Sequence, residues 1–168
     1  VDKKIRILNN EMKYQNYGFN LGVKNACGDL IMRLDAHASI DNSYIKNSVN
    51  YLYNINSEAM AVGALLKNMP QQENKISSAI AIVMSSKFGV GGSTFRTNEK
   101  SVLPEFVEVD TAPFCCYKRE MFDIVGLYNE KLLNSEDIEL HKRMIKHGFK
   151  TYLDKSIVNI YYNRSNFI

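Results

Sequence analysis

The run AMAVGALL, residues 59–66, constrains the fold more than any other stretch of this sequence. It is continuously apolar and has the length of a strand, which is typical of strands covered on both faces of a sheet. Such a strand needs helices packed over it, so strands and helices should alternate along the chain. The segment therefore predicts an α/β protein rather than an all-helical or all-β one.

Patterns elsewhere in the chain agree with that class. Helical spacing and capping residues predict helices over 17–29, 41–55, 76–88, 118–126 and 134–148. Extended patterns predict strands over 4–10, 30–34, 105–111 and 150–163, with 114–117 continuing the third of these. We expect the helix over 76–88 to pack through Ile76, Ile80, Val83 and Met84.

Composition narrows the function classes. The length of 168 residues suits a single domain, 1–168, with its own core. The net charge of +3 comes from 21 basic and 18 acidic residues without a long basic run, which argues against a nucleic-acid partner. Cys27, Cys115 and Cys116 form neither a disulfide framework nor a zinc spacing, so a reducing, cytoplasmic setting is favoured. No apolar run reaches the roughly 20 residues of a membrane span.

The apolar segment GDLIMRLDAHASI, residues 28–40, ends on two polar residues that can bind ions, Asp35 and His37. Ligands of open α/β sheets bind beyond the carboxyl ends of strands. A carboxylate and an imidazole suit Mn²⁺ or Mg²⁺ when substrate phosphate oxygens complete the ligand shell. The structural alternative is that Asp35 caps the next turn and His37 lies at the surface.

A second candidate is the SED triplet, residues 135–137, at a predicted helix start. Helix capping explains Glu136 or Asp137 equally well, because acids in a first turn offset the macrodipole. Leu140 and Met144 put Asp137 on or beside the face that packs, whereas Glu136 should share a charged, wet surface with Glu139.

Other polar residues favour structural roles. The glycine-rich stretch 89–93 lacks the lysine of a P-loop and indicates a mobile loop. His141 and His147 are expected on the exposed side of their helix. Arg119 is expected to pair with neighbouring acids, and Arg143 with either acids or phosphate.

Together these segments resemble the family-2 glycosyltransferases of GT-A fold, and are closest to bacterial enzymes of the succinoglycan-glucosyltransferase type. The matching stretches are FNLGVKNACGDLIMRLDAHA (19–38), SSKFGVGGSTFR (85–96), VDT (109–111) and FDIVGLYNEKLLNSEDIELHKRMIKHG (122–148). They follow in the family's order and cover the chain from about residue 5 to about residue 165. The combination of Asp-Ala-His with a later Glu-Asp at a helix start is more specific than either part.

The resemblance implies roles for individual residues. Asp35 and His37 match the pair that binds the cation and the donor diphosphate, although the commoner family form has aspartate where His37 stands. Asp137 matches the general base that deprotonates the acceptor hydroxyl in an inverting transfer. The remaining matches are Asn20 and Gly22 on the donor side, and Asp110, Thr111 and Glu136 on the acceptor side.

The resemblance also implies substrates and a cellular setting. The donor would be a nucleotide-diphosphate sugar, the acceptor a saccharide or lipid-linked saccharide, and the cofactor Mn²⁺ or Mg²⁺. The expected role is synthesis of extracellular or capsular polysaccharide of the bacterial cell envelope, in the cytoplasm or at the inner face of the membrane. Membrane association through segments outside this chain is left open.

One departure from the family concerns the beginning of the chain. Nothing in this sequence corresponds to the family's first strand, helix and second strand, which hold the nucleoside base. The chain is thus expected to be the C-terminal part of a GT-A domain, N-terminally incomplete, and inactive in isolation. Residues 4–10 would then form a free sheet edge that favours a homodimer.

Two other functions are consistent with the same residues. One is a non-catalytic remnant or binding module that keeps the fold without turnover. The other is a different metal-dependent phosphoryl or nucleotidyl enzyme on an α/β sheet, which would need further carboxylates near Asp35, where only Asp41 is close in sequence.

Overall fold

A mixed sheet flanked by helices forms the protein. The computed structural model describes residues 4–72, 74–86, 89, 94–96 and 105–163. The strands are β1 (Leu30–Met32), β2 (Ala38–Ser39), β3 (Ala61–Pro70), β4 (Phe106–Val109), β5 (Cys116–Lys118) and β6 (Thr151–Asn163). The helices are α1 (Gln15–Asn25), α2 (Tyr44–Asn50), α3 (Lys75–Ser85), α4 (Arg119–Val125) and α5 (Glu136–Lys146). A π-helical turn (Tyr51–Ile55) extends α2, and a 3₁₀ turn covers Thr94–Arg96. The predicted α/β class is confirmed.

Strand β3 lies at the centre of the sheet. The strand order is β1-β5-β3-β6-β2, and β4 pairs with β6 beside this path. β3 and β6 are parallel, with a register that runs from Ala61 opposite Thr151 to Pro70 opposite Asn163, and the other pairs are antiparallel. The first six residues of β3 are all buried, as the apolar run in the sequence predicts.

Two strand predictions are wrong. Residues 5–10 have no regular secondary structure, since among the described residues no strand pairs with them to satisfy their backbone groups. The 114–117 stretch does not continue β4. A turn at Pro113 and Phe114, where Phe114 has φ of 50°, redirects the chain, so that β5 lies between β1 and β3 while β4 pairs with β6.

The predicted face of helix α3 is correct in part. Ser77 and Ala81 are buried and Ile80 and Met84 are half-buried, whereas Ile76 and Val83 are exposed. The Ser77 hydroxyl accepts a hydrogen bond from the backbone N–H of Gln71, directly after β3. This hydrogen bond joins the first turn of α3 to the end of β3.

Glycine at position 63 brings β3 close to the segment that precedes β5. A Cβ atom at Gly63 would lie 2.5 Å from the Cβ of Ala112 and 3.3 Å from the Sγ of Cys115. Contacts that short do not occur between real side chains, so any other residue would displace the segment. The glycine thereby fixes residues 112–115 against the sheet, where they line the cleft described below.

Helix ends follow the predicted glycines. α4 stops at Gly126, with φ of 85°, and α5 is followed by Gly148, with φ of 78°. Both values lie in the region that glycine adopts without strain. Among the described residues, none of the helices combines the length and the apolar character needed to cross a bilayer.

Candidate active site

A cleft of about 690 Å³ brings together the predicted site residues from both ends of the sequence. Asp35 and His37 reach it from the turn after β1, and Glu136 and Asp137 reach it from the first turn of α5. The predicted convergence of Asp35, His37 and Asp137 on one cleft is therefore confirmed. Two arginines that the sequence analysis did not assign, Arg33 and Arg96, also line it.

Arg33 joins the two acidic parts of the cleft. Its Nε and Nη2 donate to the two carboxylate oxygens of Asp35 at 2.8 and 3.1 Å, and its Nη1 donates to Glu136 Oε1 at 3.1 Å. Burial acts to lower the pKa of the guanidinium, but its hydrogen bond to Asp35 and its proximity to Tyr128 outweigh burial and raise the pKa. The side chain is therefore a permanent cation between two carboxylates. Its signal in the sequence was a charged residue within an apolar strand.

Glu136 is buried, contrary to the prediction of a wet surface. Only 7% of the residue is exposed, because it faces Arg33 rather than solvent. The prediction considered only neighbours on the same helix, whereas the partner lies 103 positions earlier in the chain. Glu136 thus lines the cleft as an ion-pair partner.

Asp137 lies half-buried at the start of α5. The residue before the helix, Ser135, has a left-handed backbone with φ of 61°, and its side chain makes no capping hydrogen bond. Asp137 Oδ1 accepts the backbone N–H of Ile138 at 2.8 Å, so this carboxylate takes on part of the capping role. Its other oxygen has no hydrogen-bond partner among the described residues, and Asp137 lines the cleft.

His141 is buried beneath Asp137, which corrects its predicted exposure. Only 1% of the residue is accessible, and its Nδ1 lies 2.8 Å from the carbonyl oxygen of Asp137. Its Nε2 lies 3.7 Å from Cys115 Sγ, and Thr111 Oγ1 lies 3.4 Å from Nδ1. Burial lowers the pKa of His141, so the ring is neutral at physiological pH. His147 is exposed, as predicted.

His37 has the exposed position that a ligand to a substrate-borne cation would need. Residues 35–38 form a turn in which the Ala38 N–H donates to the Asp35 carbonyl, and the His37 carbonyl accepts from the Tyr162 N–H of β6. The imidazole meets the Tyr161 ring edge-on, with 4.7 Å between centroids. The turn and the tyrosine together hold His37 at the wall of the cleft, which Asp35 also lines.

A divalent cation fits these two residues only with help from a substrate. Among the described residues, no group of three or more His, Cys, Asp or Glu side chains could enclose a metal ion. Asp35 and His37 offer an oxygen and a nitrogen ligand, and the Asp35 oxygens keep free lone pairs beside Arg33. The donor set therefore suits Mn²⁺ or Mg²⁺ that arrives with phosphate oxygens.

The two other residues predicted on the donor side, Asn20 and Gly22, do not line the cleft. Asn20 is buried, and its amide donates to the Tyr128 carbonyl and to Glu130 while accepting the Tyr128 N–H, so it has a structural role away from the cleft. Gly22 lines a neighbouring apolar crevice beside β1, which Arg33 and Asp35 also border.

Asp110 and Thr111, predicted on the acceptor side, and Arg119 also lie outside the lining of the cleft. Thr111 contacts His141 behind the cleft, and Asp110 is exposed without lining it. Arg119 donates to the carbonyl oxygens of Gly28 and Val23, so its predicted pairing with acids is wrong. Arg143 pairs with the carboxylate of Glu139, and this pairing with an acid is one of the two predicted alternatives. It also donates to two backbone carbonyls. The glycine-rich stretch lies outside the described residues except for Gly89.

Comparison with known proteins finds relatives whose names concern sugar transfer or polysaccharide synthesis. No family model matches the chain. It is 30% identical, over 98% of its length and 50% of the relative's, to the dolichyl N-acetyl-alpha-D-glucosaminyl phosphate 3-beta-D-2,3-diacetamido-2,3-dideoxy-beta-D-glucuronosyltransferase of Methanococcus voltae. It is 27% identical, over 99% of its length and 48% of the relative's, to the succinoglycan biosynthesis protein ExoA of Rhizobium meliloti (strain 1021). The chain spans about half the length of the curated relatives it matches.

These relatives agree with the resemblance of the motifs to glycosyltransferases. The matches cover nearly the whole chain, including the turn with Asp35 and His37 and the start of α5. The mixed sheet flanked by helices agrees with the GT-A architecture expected for that family. The chain is therefore homologous to glycosyltransferases along nearly its entire length.

Proposed function

We propose that this chain forms the cation- and acceptor-binding part of an inverting glycosyltransferase of family 2. The enzyme would transfer a sugar from a nucleotide-diphosphate sugar to a hydroxyl group of a saccharide or lipid-linked saccharide. The observation that carries the proposal is the convergence of Asp35, His37 and Asp137 on one cleft. The names of the relatives, a transferase for a dolichyl-phosphate-linked sugar and a succinoglycan biosynthesis protein, support a role in glycan synthesis.

Each of these residues would have its own role in the transfer reaction. Asp35 and His37 would hold Mn²⁺ or Mg²⁺, which when bound neutralises the charge that grows on the leaving diphosphate. Asp137 would remove the proton from the acceptor hydroxyl, so that its oxygen attacks the anomeric carbon from the face opposite the diphosphate. Arg33 keeps Asp35 and the start of α5 at a fixed spacing through its bonds to Asp35 and Glu136.

Donor binding tests this proposal. A panel of nucleotide sugars is screened by thermal unfolding of the full natural chain that contains these residues, with Mn²⁺ and with a chelator. One donor should raise the unfolding midpoint with Mn²⁺ only. Asp35→Ala should remove this shift, and His37→Asp should retain it, because aspartate supplies a hard ligand at the same place.

The matched control is Asp123→Ala, which removes an exposed carboxylate of α4 away from the cleft and should leave the shift unchanged. A shift of equal size with chelator would remove the cation from the mechanism. Absence of any shift across the panel would contradict the proposed function.

A further inference from the structure

Phe114 has a backbone conformation that bulky residues rarely adopt. Its φ of 50° lies in the left-handed region, where the Cβ atom of any residue other than glycine crowds the backbone. Glycine would adopt this conformation without strain, yet the turn before β5 has a phenylalanine here. Strained residues persist only where the surrounding structure holds them, and they concentrate at active sites and ligand clamps. A function of the Phe114 side chain in binding a ligand would explain why the strain is retained.

Three parts of the fold hold this turn in place. Tyr44 of α2 is fully buried, and its hydroxyl donates to the Phe114 carbonyl oxygen at 2.9 Å. In β3, the missing side chain of Gly63 admits the turn without the clash that a Cβ atom would make with Ala112. Within the turn, the Cys115 thiol donates to the Ala112 carbonyl oxygen at 3.3 Å. Because these contacts come from α2, from β3 and from the turn itself, the fold stabilises the conformation of Phe114 from several directions.

Phe114 lies at the wall of the cleft. It is half-buried, and its ring stacks at 28° against that of Tyr161, which also lines the cleft, with 6.5 Å between centroids. Tyr161 in turn meets the imidazole of His37, the proposed cation ligand. Cys115, the next residue after Phe114, contacts the histidine whose ring bonds the carbonyl oxygen of Asp137. Phe114 is thus linked by contacts both to the proposed cation side and to the proposed base side of the cleft.

A half-buried aromatic ring in this cleft suits the apolar face of a pyranose ring. The C–H groups on one face of a pyranose form an apolar patch, which gains free energy by leaving water for an aromatic surface. The hydroxyl groups at the edge of the sugar stay free to bond polar residues. The carboxylates of Asp35 and Asp137 can accept from hydroxyl groups or bind a cation, but they offer nothing to the apolar patch. Phe114 offers the surface that complements it.

We propose that Phe114 is a specificity-determining residue, against which the apolar face of a pyranose ring packs in the cleft. This inference rests on the proposed function for the role of that sugar, which is either the transferred sugar of the donor or a sugar of the acceptor. The packing itself can be measured without sugar transfer. The strained turn would hold the aromatic ring in place before the sugar binds, which lowers the entropic cost of binding.

Ligand-observed NMR titrations of the full natural chain with Mg²⁺ test this inference. The probes are UDP-glucose, UDP-N-acetylglucosamine and GDP-mannose, the free UDP and GDP, and the methyl glycosides of the same sugars. Phe114→Gly removes the aromatic ring and keeps the turn, because glycine adopts a φ of 50° without strain. It should weaken the binding of at least one sugar-bearing probe about five- to tenfold, while Phe114→Tyr should retain that binding.

The probes also distinguish the two sources of the sugar. Weaker binding of a nucleotide sugar by Phe114→Gly, with unchanged binding of its nucleoside diphosphate, identifies the transferred sugar of the donor. Weaker binding of a methyl glycoside alone identifies a sugar of the acceptor. Glycoside binding that depends on Phe114, in a protein that binds no nucleotide sugar and transfers none, would uphold the inference and refute the proposed function.

The control is Phe149→Leu, which changes a half-buried aromatic residue outside the lining of the cleft and should leave binding unchanged. Thermal unfolding checks that each variant is folded. Equal binding of every sugar-bearing probe by the natural protein and Phe114→Gly would overturn the inference, as would binding of none of them by the natural protein. Equal weakening of a nucleotide sugar and of its nucleoside diphosphate would also overturn it, because Phe114 would then act on the nucleotide.

Discussion

Arg33 shows how one side chain organises this cleft. It bonds Asp35 through two nitrogens and Glu136 through a third, so it ties the end of β1 to the start of α5. Sequence reasoning identified all three acidic residues of the cleft but placed Glu136 in solvent, because the partner that buries it is 103 positions away. Such a pairing follows from the fold and has no local signal.

Arg33→Gln should lower the free energy of unfolding by about 2–3 kcal/mol, because removing the cation leaves two poorly solvated carboxylates unpaired. We expect a smaller loss of stability than for a fully buried ion pair, because the side chains of Arg33 and Asp35 are 18% and 19% exposed. Urea denaturation of the full natural chain measures the change.

Two further variants make this result specific. Lys150→Gln breaks an exposed ion pair with Glu108, in which the two side chains are 56% and 53% accessible. It should lower the free energy of unfolding by less than about 1 kcal/mol. Adding Glu136→Gln to Arg33→Gln should recover part of the loss, because one uncompensated charge disappears. Equal costs for Arg33→Gln and Lys150→Gln, with no recovery in the double variant, would show that the cleft pairs are as weak as surface ones.

At the scale of elements, periodicity predicted the helices and the central strands well. The apolar run of β3 and the acidic first turn and basic last turn of α5 are local patterns, and the structure forms the predicted strand and helix there. The predictions failed where a partner strand decides the outcome. No strand of the described residues pairs with residues 4–10, and β5 lies between β1 and β3 instead of continuing β4. The face of α3 was predicted in part, since Ile80 and Met84 are half-buried beside Ser77 and Ala81 while Ile76 and Val83 are exposed.

Helix α5 is joined to the sheet through a buried histidine. His141 lies one turn after Asp137, bonds its carbonyl, and contacts Cys115 before β5. Its burial means that the folded protein resists protonation of the ring, whereas the unfolded chain protonates it at the ordinary pKa near 6.5. Between those two pKa values the unfolded chain binds more protons, so stability falls as pH falls.

The free energy of unfolding should therefore decrease as pH drops below about 6.5, by up to about 1.4 kcal/mol per pH unit. His141→Asn should remove most of this dependence, since an amide does not titrate, while His147→Gln, at an exposed position, should keep it. Denaturation midpoints of the full natural chain at pH 7.5 and 5.5 measure the effect. Parallel pH dependence in the natural protein and His141→Asn would mean that His141 does not cause it.

At the scale of the whole molecule, the sheet brings distant segments to one cleft. Asp35 and His37 follow β1 at one side of the sheet, while α5 brings Asp137 from about a hundred residues later. The sequence could predict this convergence through strand-end positions and the family's motif order. No role was assigned from the sequence to Arg96, the last residue of the matching stretch 85–96, which reaches the cleft from the short turn Thr94–Arg96.

The proposed role of Asp137 as the base in this cleft is tested by the turnover of Asp137→Asn. The full natural chain is assayed for sugar transfer at saturating donor, with donor affinity measured separately and with Asp123→Asn, an exposed carboxylate of α4, as control. We expect Asp137→Asn to lose about 10²-fold or more of turnover with donor affinity unchanged, because the amide cannot take the acceptor proton. Turnover of Asp137→Asn equal to that of Asp123→Asn would contradict the account and leave Asp137 as a helix cap.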